Sequence, residues 1–465
     1  MKVIYENDCQ FKPEFEYILS VILDDFLGLE YEVSYAPHCM GIFIEHDGNR
    51  LIIDDTFFRI PKDLYLTRES LPKQPLNAWP VLDTEWGNLF VETRIPIIYG
   101  NSLANGEYLF IDTNEIRIGI DILGSSFFML TRYEEYVKKE RDNLARFSAK
   151  DSLAYQEGFL ERPIINEYIE LLWWCINKLW PELKRKKREY KFIPTHDVDR
   201  PSALLGFGHR PQLQRFAGDI LYRKDWSAFF KRSQICMELL KHGFKGEWKY
   251  TFDHIMDISE LYNVKSTFFF MTPTGLPEYD GLYHIDHPDI VNLIKHIIAR
   301  GHNIGIHPSY ASYNNPEIIK DNVNRLREVM NQSGIKCRIG GRQHYLRWEA
   351  ATTWQAYEDA GLVYDTTLSF ADHIGFRCGV CYDYQCFNLK ARKKMQLREF
   401  PLIIMEGTAF DYMGLSEKQV IERSLNLKKI CKKYNGNFII LWHNDKFIEN
   451  KMVRAYGKIL QKQYF

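Results

Sequence analysis

The feature that most restricts this chain is the hydrophobic rhythm of its second half, where short apolar runs alternate with amphipathic helices. The runs Lys191 to Pro194, Lys265 to Met271, Asn303 to Ile306, Arg338 to Gly340 and Phe438 to Trp442 are strand candidates. Ahead of the third, Ile290, Leu293, Ile294, Ile297 and Ile298 share one helical face that Arg300-Gly301 closes. Such alternation predicts a parallel sheet with crossover helices. Reactive groups in that architecture gather at the C-terminal ends of the strands.

The first half reads differently. Strand-like pieces (Gly41 to Glu45, Arg50 to Asp54, Ile116 to Ile120) mix with helical ones (Glu14 to Leu27, Phe127 to Val137), which predicts an α+β domain. The segment Phe128 to Tyr136 is rich in aromatics and charges, yet no spacing in this half matches a metal, phosphate or nucleophile motif. Ile165, Tyr168, Ile169, Leu172, Cys175, Ile176 and Leu179 recur at helical spacing until Pro181 stops them. The basic run Lys184 to Arg188 that follows reads as a solvated linker or helix end. With 465 residues exceeding what one core usually organises, two domains are expected, 1–185 and 190–465.

Charge excludes some roles. Sixty basic against sixty-one acidic residues leave a net charge of -1, which argues against a general nucleic-acid or membrane-surface role. The apolar stretch Tyr17 to Leu23 is flanked by acids and ended by Asp24 and Asp25, unlike a signal peptide or a transmembrane segment. Nine cysteines without a secretion signal read as reduced thiols of a cytoplasmic protein.

Polar residues then appear where the architecture wants them. The first strand runs into Thr195-His196-Asp197-Val198-Asp199, and residues two apart on an extended chain face the same way. Such a pair can divide labour, one carboxylate holding a cation and the other taking a proton, although an isolated Asp-x-Asp also suits an Asx-turn or helix cap. The third strand delivers His307 before Pro308, a candidate ligand for zinc or, equally, a structural hydrogen-bonding residue. Arg342 offers a guanidinium fork for a carboxylate, and the last strand delivers His443, a candidate general acid. Their shared position at strand ends outweighs any one of them.

In order, these segments resemble the polysaccharide deacetylase family, carbohydrate esterase family 4 (the NodB-homology domain). Thr195 to Asp199 is similar to its first motif, Ser266 to Phe270 to the strand that follows, and Gly301-His302-Asn303-Ile304-Gly305-Ile306-His307 to its Gly-His-Glu-x-Gly-x-His signature. Arg342-Gln343-His344-Tyr345 resembles Arg-x-Pro-Tyr with His in place of Pro, and Leu441-Trp442-His443 the closing Leu-x-His strand. The likeness spans about residues 190 to 450. It implies a distorted (β/α) barrel that hydrolyses N-acetyl or O-acetyl groups on a carbohydrate, in polysaccharide or glycoconjugate biosynthesis. It further implies one divalent metal ion, zinc foremost with cobalt, manganese or nickel as alternatives, held by Asp199 and His307. Asp197 would be the general base, Arg342 its support and His443 the general acid, with Tyr345, His344 and Asp365 on the substrate side.

One departure stands out. The family's second metal histidine, four residues after the first, is here Ala311, which leaves Ser312, His302 or His344 to complete the ligand set. The competing reading is a glycan-binding or scaffolding protein that keeps the fold but has lost turnover; O-deacylation or cleavage of a cyclic amide is a third. Cys378, Cys381 and Cys386 resemble part of a structural zinc site without an evident fourth ligand. The segment Ser369 to Arg377 is expected either to line a sugar groove or to form a polar turn.

Overall fold

The computed structural model describes residues 1–6, 10–37, 41–82, 84–202, 226–272, 276, 278–281 and 283–461, the side chains of 105 and 226–228 excepted. The first half contains β1 (Lys2–Glu6), β2 (Glu32–Ala36), β3 (Ile42–His46), β4 (Asn49–Ile53), β5 (Asn77–Pro80), β6 (Arg94–Ile97), β7 (Leu109–Ile111) and β8 (Glu115–Ile118). Six of these form a mixed sheet ordered β2-β1-β3-β4-β8-β7, while β5 and β6 pair separately. Alternate residues Ile42 and Ile44, Leu51 and Ile53, and Ile116 and Ile118 are buried, the period-two signature of a sheet with one face in the core. The helix Ile164–Leu179 packs on β4 and β8 and buries the apolar stripe read from the sequence.

Two helices differ from expectation. The first is α-helical over Lys12–Leu19 and widens into a π-helix over Ser20–Phe26. The second breaks into Ile122–Leu130 and Tyr133–Val137 at Arg132, whose φ is 55°. The left-handed turn places the buried Arg132 guanidinium between Glu134 and Glu135, 3.0 and 2.8 Å away, and 2.5 Å from the carbonyl of Arg377. The charged segment without a motif is therefore an internal ion-pair network that reaches the second half.

That half contains β9 (Lys191–Val198), β10 (Thr267–Met271), β11 (Asn303–His307), β12 (Tyr364–Asp365), β13 (Tyr384–Asn388), β14 (Lys393–Glu399), β15 (Ile404–Met405) and β16 (Asn437–Leu441). Five of them form an all-parallel sheet ordered β11-β10-β9-β16-β15. β10 is buried along its whole length, as a strand covered on both faces must be, which explains its unbroken Thr-Phe-Phe-Phe-Met run. Helices Pro288–Ala299 and Glu417–Lys433 precede β11 and β16; the second opens with a capping box between Ser416 and Gln419.

The expected strand Arg338 to Gly340 is replaced by single bridges from Gly341 to Ile306 and to Asp365. Glycines pack weakly in a strand, and here the rings of Tyr364 and Tyr357 lie where Cβ atoms of Gly340 and Gly341 would be. Through these bridges the sheet curves on into β12-β14-β13. The fold is mixed α/β, and among the described strands no ladder joins β13 to β15.

One contiguous hydrophobic cluster runs from Val3 to Leu460, so the halves share a core. Buried polar contacts join them as well. Arg377 Nη2 pairs with Glu135 Oε2 at 2.5 Å, Tyr17 Oη donates to the Gln385 carbonyl at 2.7 Å, and Arg392 Nε reaches Glu14 at 2.7 Å. The basic linker is drawn in too: Arg185 pairs with Glu170 at 2.7 Å and Arg188 sits over the Tyr382 ring. No helix among the described residues is long and apolar enough to cross a membrane.

Candidate metal centre and acid–base site

Strand geometry brings the polar residues together. β9 extends through Val198, so Asp197 and Asp199 leave its end on the same side, and β11 ends on His307 next to it but one. Tyr283 fastens these ends: its hydroxyl donates to the Val198 carbonyl at 2.8 Å and accepts from Met271 N at 2.6 Å. β16 delivers His443 from the other flank. The result is a cleft of about 540 Å³ lined by Asp197, Asp199, His307, His344, Tyr345, Glu406 and His443, with Arg146 reaching in from the N-terminal half.

Asp199 is the hub. Its Oδ1 lies 3.3 Å from His307 Nε2, and its Oδ2 lies 3.6 Å from His344 Nε2 and 3.6 Å from His443 Nε2. His307 Nδ1 donates to the Arg342 carbonyl at 2.5 Å, leaving the Nε2 lone pair facing Asp199. His344 is set the same way, with Nδ1 3.0 Å from Asp280 Oδ1. Asp199 Oδ1 and His307 Nε2 are buried and carry no hydrogen bond from the described residues. Orphaned acceptors of this kind are costly unless a cation or water satisfies them.

Tetrahedral zinc with bonds of about 2.0–2.1 Å separates its ligand atoms by roughly 3.3 Å. The 3.3 Å between Asp199 Oδ1 and His307 Nε2 matches that spacing, and with His344 the three ligand atoms all lie within 4.8 Å of one another. The other such group among the described residues, His46, Asp47 and Glu182, is largely exposed. Of the other candidate third ligands, Ser312 Oγ is engaged with the Ser309 carbonyl at 2.7 Å and Gln343 at 2.9 Å. His302 stands at the opposite end of β11, accepting from Ser266 N at 3.0 Å. His344, read from the sequence both on the substrate side and as a candidate third ligand, faces the aspartate that the ligand set needs.

Asp197 stands beside this group. Its Oδ1 accepts from Arg342 Nη1 at 3.0 Å, while Oδ2 lies 3.6 Å from His307 Nε2. Arg342 is completely buried, donates to Thr195 Oγ1 at 2.8 Å and the Thr366 carbonyl at 3.0 Å, and lies over the Phe269 ring. It therefore orients Asp197 from behind the cleft. His443 Nδ1 bonds Glu406 Oε1 at 2.5 Å, leaving Nε2 toward the cleft.

The charges are strongly coupled. Burial alone would raise Asp199, but the imidazoles of His344, His307 and His443 hold it well below the usual carboxylate range. Burial works against His443, yet Glu406, then Asp199 and Asp197, lift it to about 10. His344 is lifted against burial to about 9 by Asp199 and Asp280.

One further expectation fails, and of the two readings offered for Ser369 to Arg377 the groove lining falls away. Asp365 is completely buried and outside the cleft; its carboxylate accepts from Thr367 N at 2.9 Å and Trp354 Nε1 at 3.1 Å, and burial lifts it to about 6. Ser369 to Arg377 lines no part of the cleft. Asp372 accepts from Ser148 Oγ and Ala149 N, and Arg377 pairs with Glu135, so this segment anchors the N-terminal half. Cys378, Cys381 and Cys386 are buried free thiols. Tyr345 does face the cleft, packed at 4.5 Å on His344, with a strained left-handed backbone at φ 61°.

Glu406 and Asp280 were not singled out in the sequence. Glu406 follows a two-residue strand, and Asp280 lies between β10 and the helix Pro288–Ala299. An acid just past a strand of the same sheet was the cue available for Glu406.

Residues 3–181 match a family of unknown function (DUF7033). A search of curated proteins finds no match. Among solved structures, a protein assigned as a polysaccharide deacetylase from Mycobacterium smegmatis is 15% identical, covering 59% of this chain and 83% of its own, at a TM-score of 0.37. The Xyl-CE4 domain of a multidomain xylanase from the hindgut metagenome of Trinervitermes trinervoides is 14% identical over 58% of this chain and 82% of its own, at a TM-score of 0.29. A CE4 family pseudoenzyme from Bacillus anthracis is 11% identical over 59% of each chain, also at 0.29.

Proposed function

We propose that the chain is a metal-dependent hydrolase that removes acetyl groups from a carbohydrate, acting on a carbon–nitrogen bond or its ester counterpart. The observation that carries this reading is the meeting of Asp199, His307 and His344 around orphaned ligand atoms, with Asp197 and His443 beside them. Asp199, His307 and His344 would hold the cation, zinc foremost. A bound divalent cation lowers the pKa of water and polarises an acyl carbonyl, as amide hydrolysis at neutral pH requires.

The remaining work falls to the chain itself. Asp197 Oδ2, free of Arg342, accepts the proton of the attacking water, and Arg342 fixes its orientation through Oδ1. His443 Nε2 donates a proton to the departing nitrogen or oxygen, and Glu406 keeps the ring charged and turned toward the cleft. Tyr345 offers an apolar ring to a sugar face. The second half adopts the distorted barrel of the deacetylases in this reading, and the chain divides near residues 186–189. The family match ending at residue 181 supports that division, while the shared core supports the halves working as one unit. Seven described cysteines with free thiols support a reducing, cytoplasmic setting.

The deciding experiment is metal content by elemental analysis, together with acetate release from acetylated amino-sugar oligomers, for the parent and Asp199→Ala. About one equivalent of metal and turnover, both lost in the variant with the fold intact, is the expected result. Metal-free protein that binds glycan without turnover, even after reconstitution, would replace this reading with the scaffolding one.

A further inference from the structure

The sequence lacks the usual second histidine and supplies one from another loop, so something must hold that substitute in place. We propose that Asp280 is the positioning residue of the metal centre, fixing His344 as a ligand without touching the metal itself. This inference rests on the ligand set given above.

Asp280 lies in the turn 278–281 beyond β10, buried at 6% exposure. Its Oδ1 takes two hydrogen bonds from different loops, from His344 Nδ1 at 3.0 Å and from Tyr310 N, just past β11, at 2.7 Å. Three chain segments therefore converge on one oxygen, while Oδ2, also buried, has no partner among the described residues. With Nδ1 engaged by Asp280, Nε2 is the ring nitrogen that faces Asp199, 3.6 Å away. A carboxylate behind a ligating imidazole fixes its tautomer and ring orientation and raises its basicity, typically changing metal affinity about 10- to 100-fold.

The turn is built close to the site. A Cβ on Gly281 would lie 2.2 Å from the Asp199 carbonyl oxygen, so only glycine lets Asp280 approach from this side. Tyr279 stacks on Tyr310 at 4.2 Å, and both pack on Tyr345, which holds the loops together around His344. The orienting contact is thus rigid, as a ligand supplied from outside β11 requires.

The test is zinc affinity by competition with a chromophoric chelator, and the cobalt absorption spectrum, for the full chain, Asp280→Asn, His344→Ala and the double variant. Asparagine keeps an acceptor for Tyr310 N but not the charge facing His344. Asp280→Asn is expected to weaken zinc binding about 10- to 100-fold and to change the cobalt band, with the metal-free protein still folding cooperatively. In the His344→Ala background it should add nothing, which a purely structural role would not produce. Parent-like affinity in Asp280→Asn beside weak His344→Ala, or a loss that persists in the double variant, overturns this inference alone. Parent-like affinity in His344→Ala overturns the ligand set and this inference with it.

Discussion

Replacing Glu406 with glutamine should uncouple the general acid from its charge partner. His443 stands at about 10 against an ordinary 6.5, although burial opposes its charge. Glu406 leads the charges that lift it, through a contact of 2.5 Å, with Asp199 and Asp197 behind it. Glutamine keeps the geometry but removes the charge, which should lower His443 by about 1–3 units. The sign for stability follows. A histidine raised on folding stabilises fully below its unfolded value and loses that contribution as pH rises through its folded one, so the loss moves to lower pH in the variant. The assay is a pH titration of histidine Cε1 resonances in the metal-free protein, with His443 assigned from its absence in His443→Gln. Acetate release should fall first on the basic side while metal content stays at the parent level. A His443 that still titrates within half a unit of the parent in Glu406→Gln would refute this account of how the acid is kept charged.

Arg342→Lys should preserve metal binding but cut turnover at least tenfold, because one ammonium cannot serve both Asp197 and the Thr366 carbonyl; equal turnover would remove its orienting role. Glu135→Gln leaves Arg132 and Arg377 buried with one carboxylate fewer and should cost about 3–5 kcal/mol by chemical denaturation. Arg377 and Arg132 outweigh burial and hold Glu135 at about 2 against an ordinary 4.5, so its contribution is full above about 4.5 and lost as pH falls toward 2; acid unfolding of the variant should lack that step. Gly281→Ala should weaken zinc binding by displacing Asp199, and unchanged affinity would show that the turn yields freely.

How much of this was legible depended on chain periodicity. β9, β10, β11 and β16 announce themselves as apolar runs, and their polar ends, Asp197, Asp199, His307 and His443, stand in one cleft because parallel strands place like ends together. Glu406 and Asp280 escaped because neither has a pattern around it: one follows a two-residue strand, and the other's contacts run 64 residues to His344 and 30 to Tyr310. Asp365 misled for another reason. Only the resemblance placed it on the substrate side; in the fold it is buried and its carboxylate joins Glu399 around the Trp354 indole. The Phe128 to Tyr136 segment was opaque because Arg377, which bonds both Arg132 and Glu135, lies more than 240 residues on, and these charges are satisfied only in the folded core.

The two oddities of the sequence, Ala311 in place of a ligand and His344 in place of a proline, are unrelated as text and adjacent as chemistry. Proline at position 344 would offer no ligand and no Nδ1–H for Asp280; histidine supplies both, and its Nε2 arrives within 3.6 Å of the aspartate that Ala311 cannot serve. If the imidazole has moved rather than vanished, restoring the missing position should matter only when the substitute is gone. Ala311→His in the His344→Ala background should then recover part of the lost zinc affinity, while in the parent it should change little. An equal gain in both backgrounds would mean that His344 leaves the coordination shell incomplete, and that the two departures do not compensate one another.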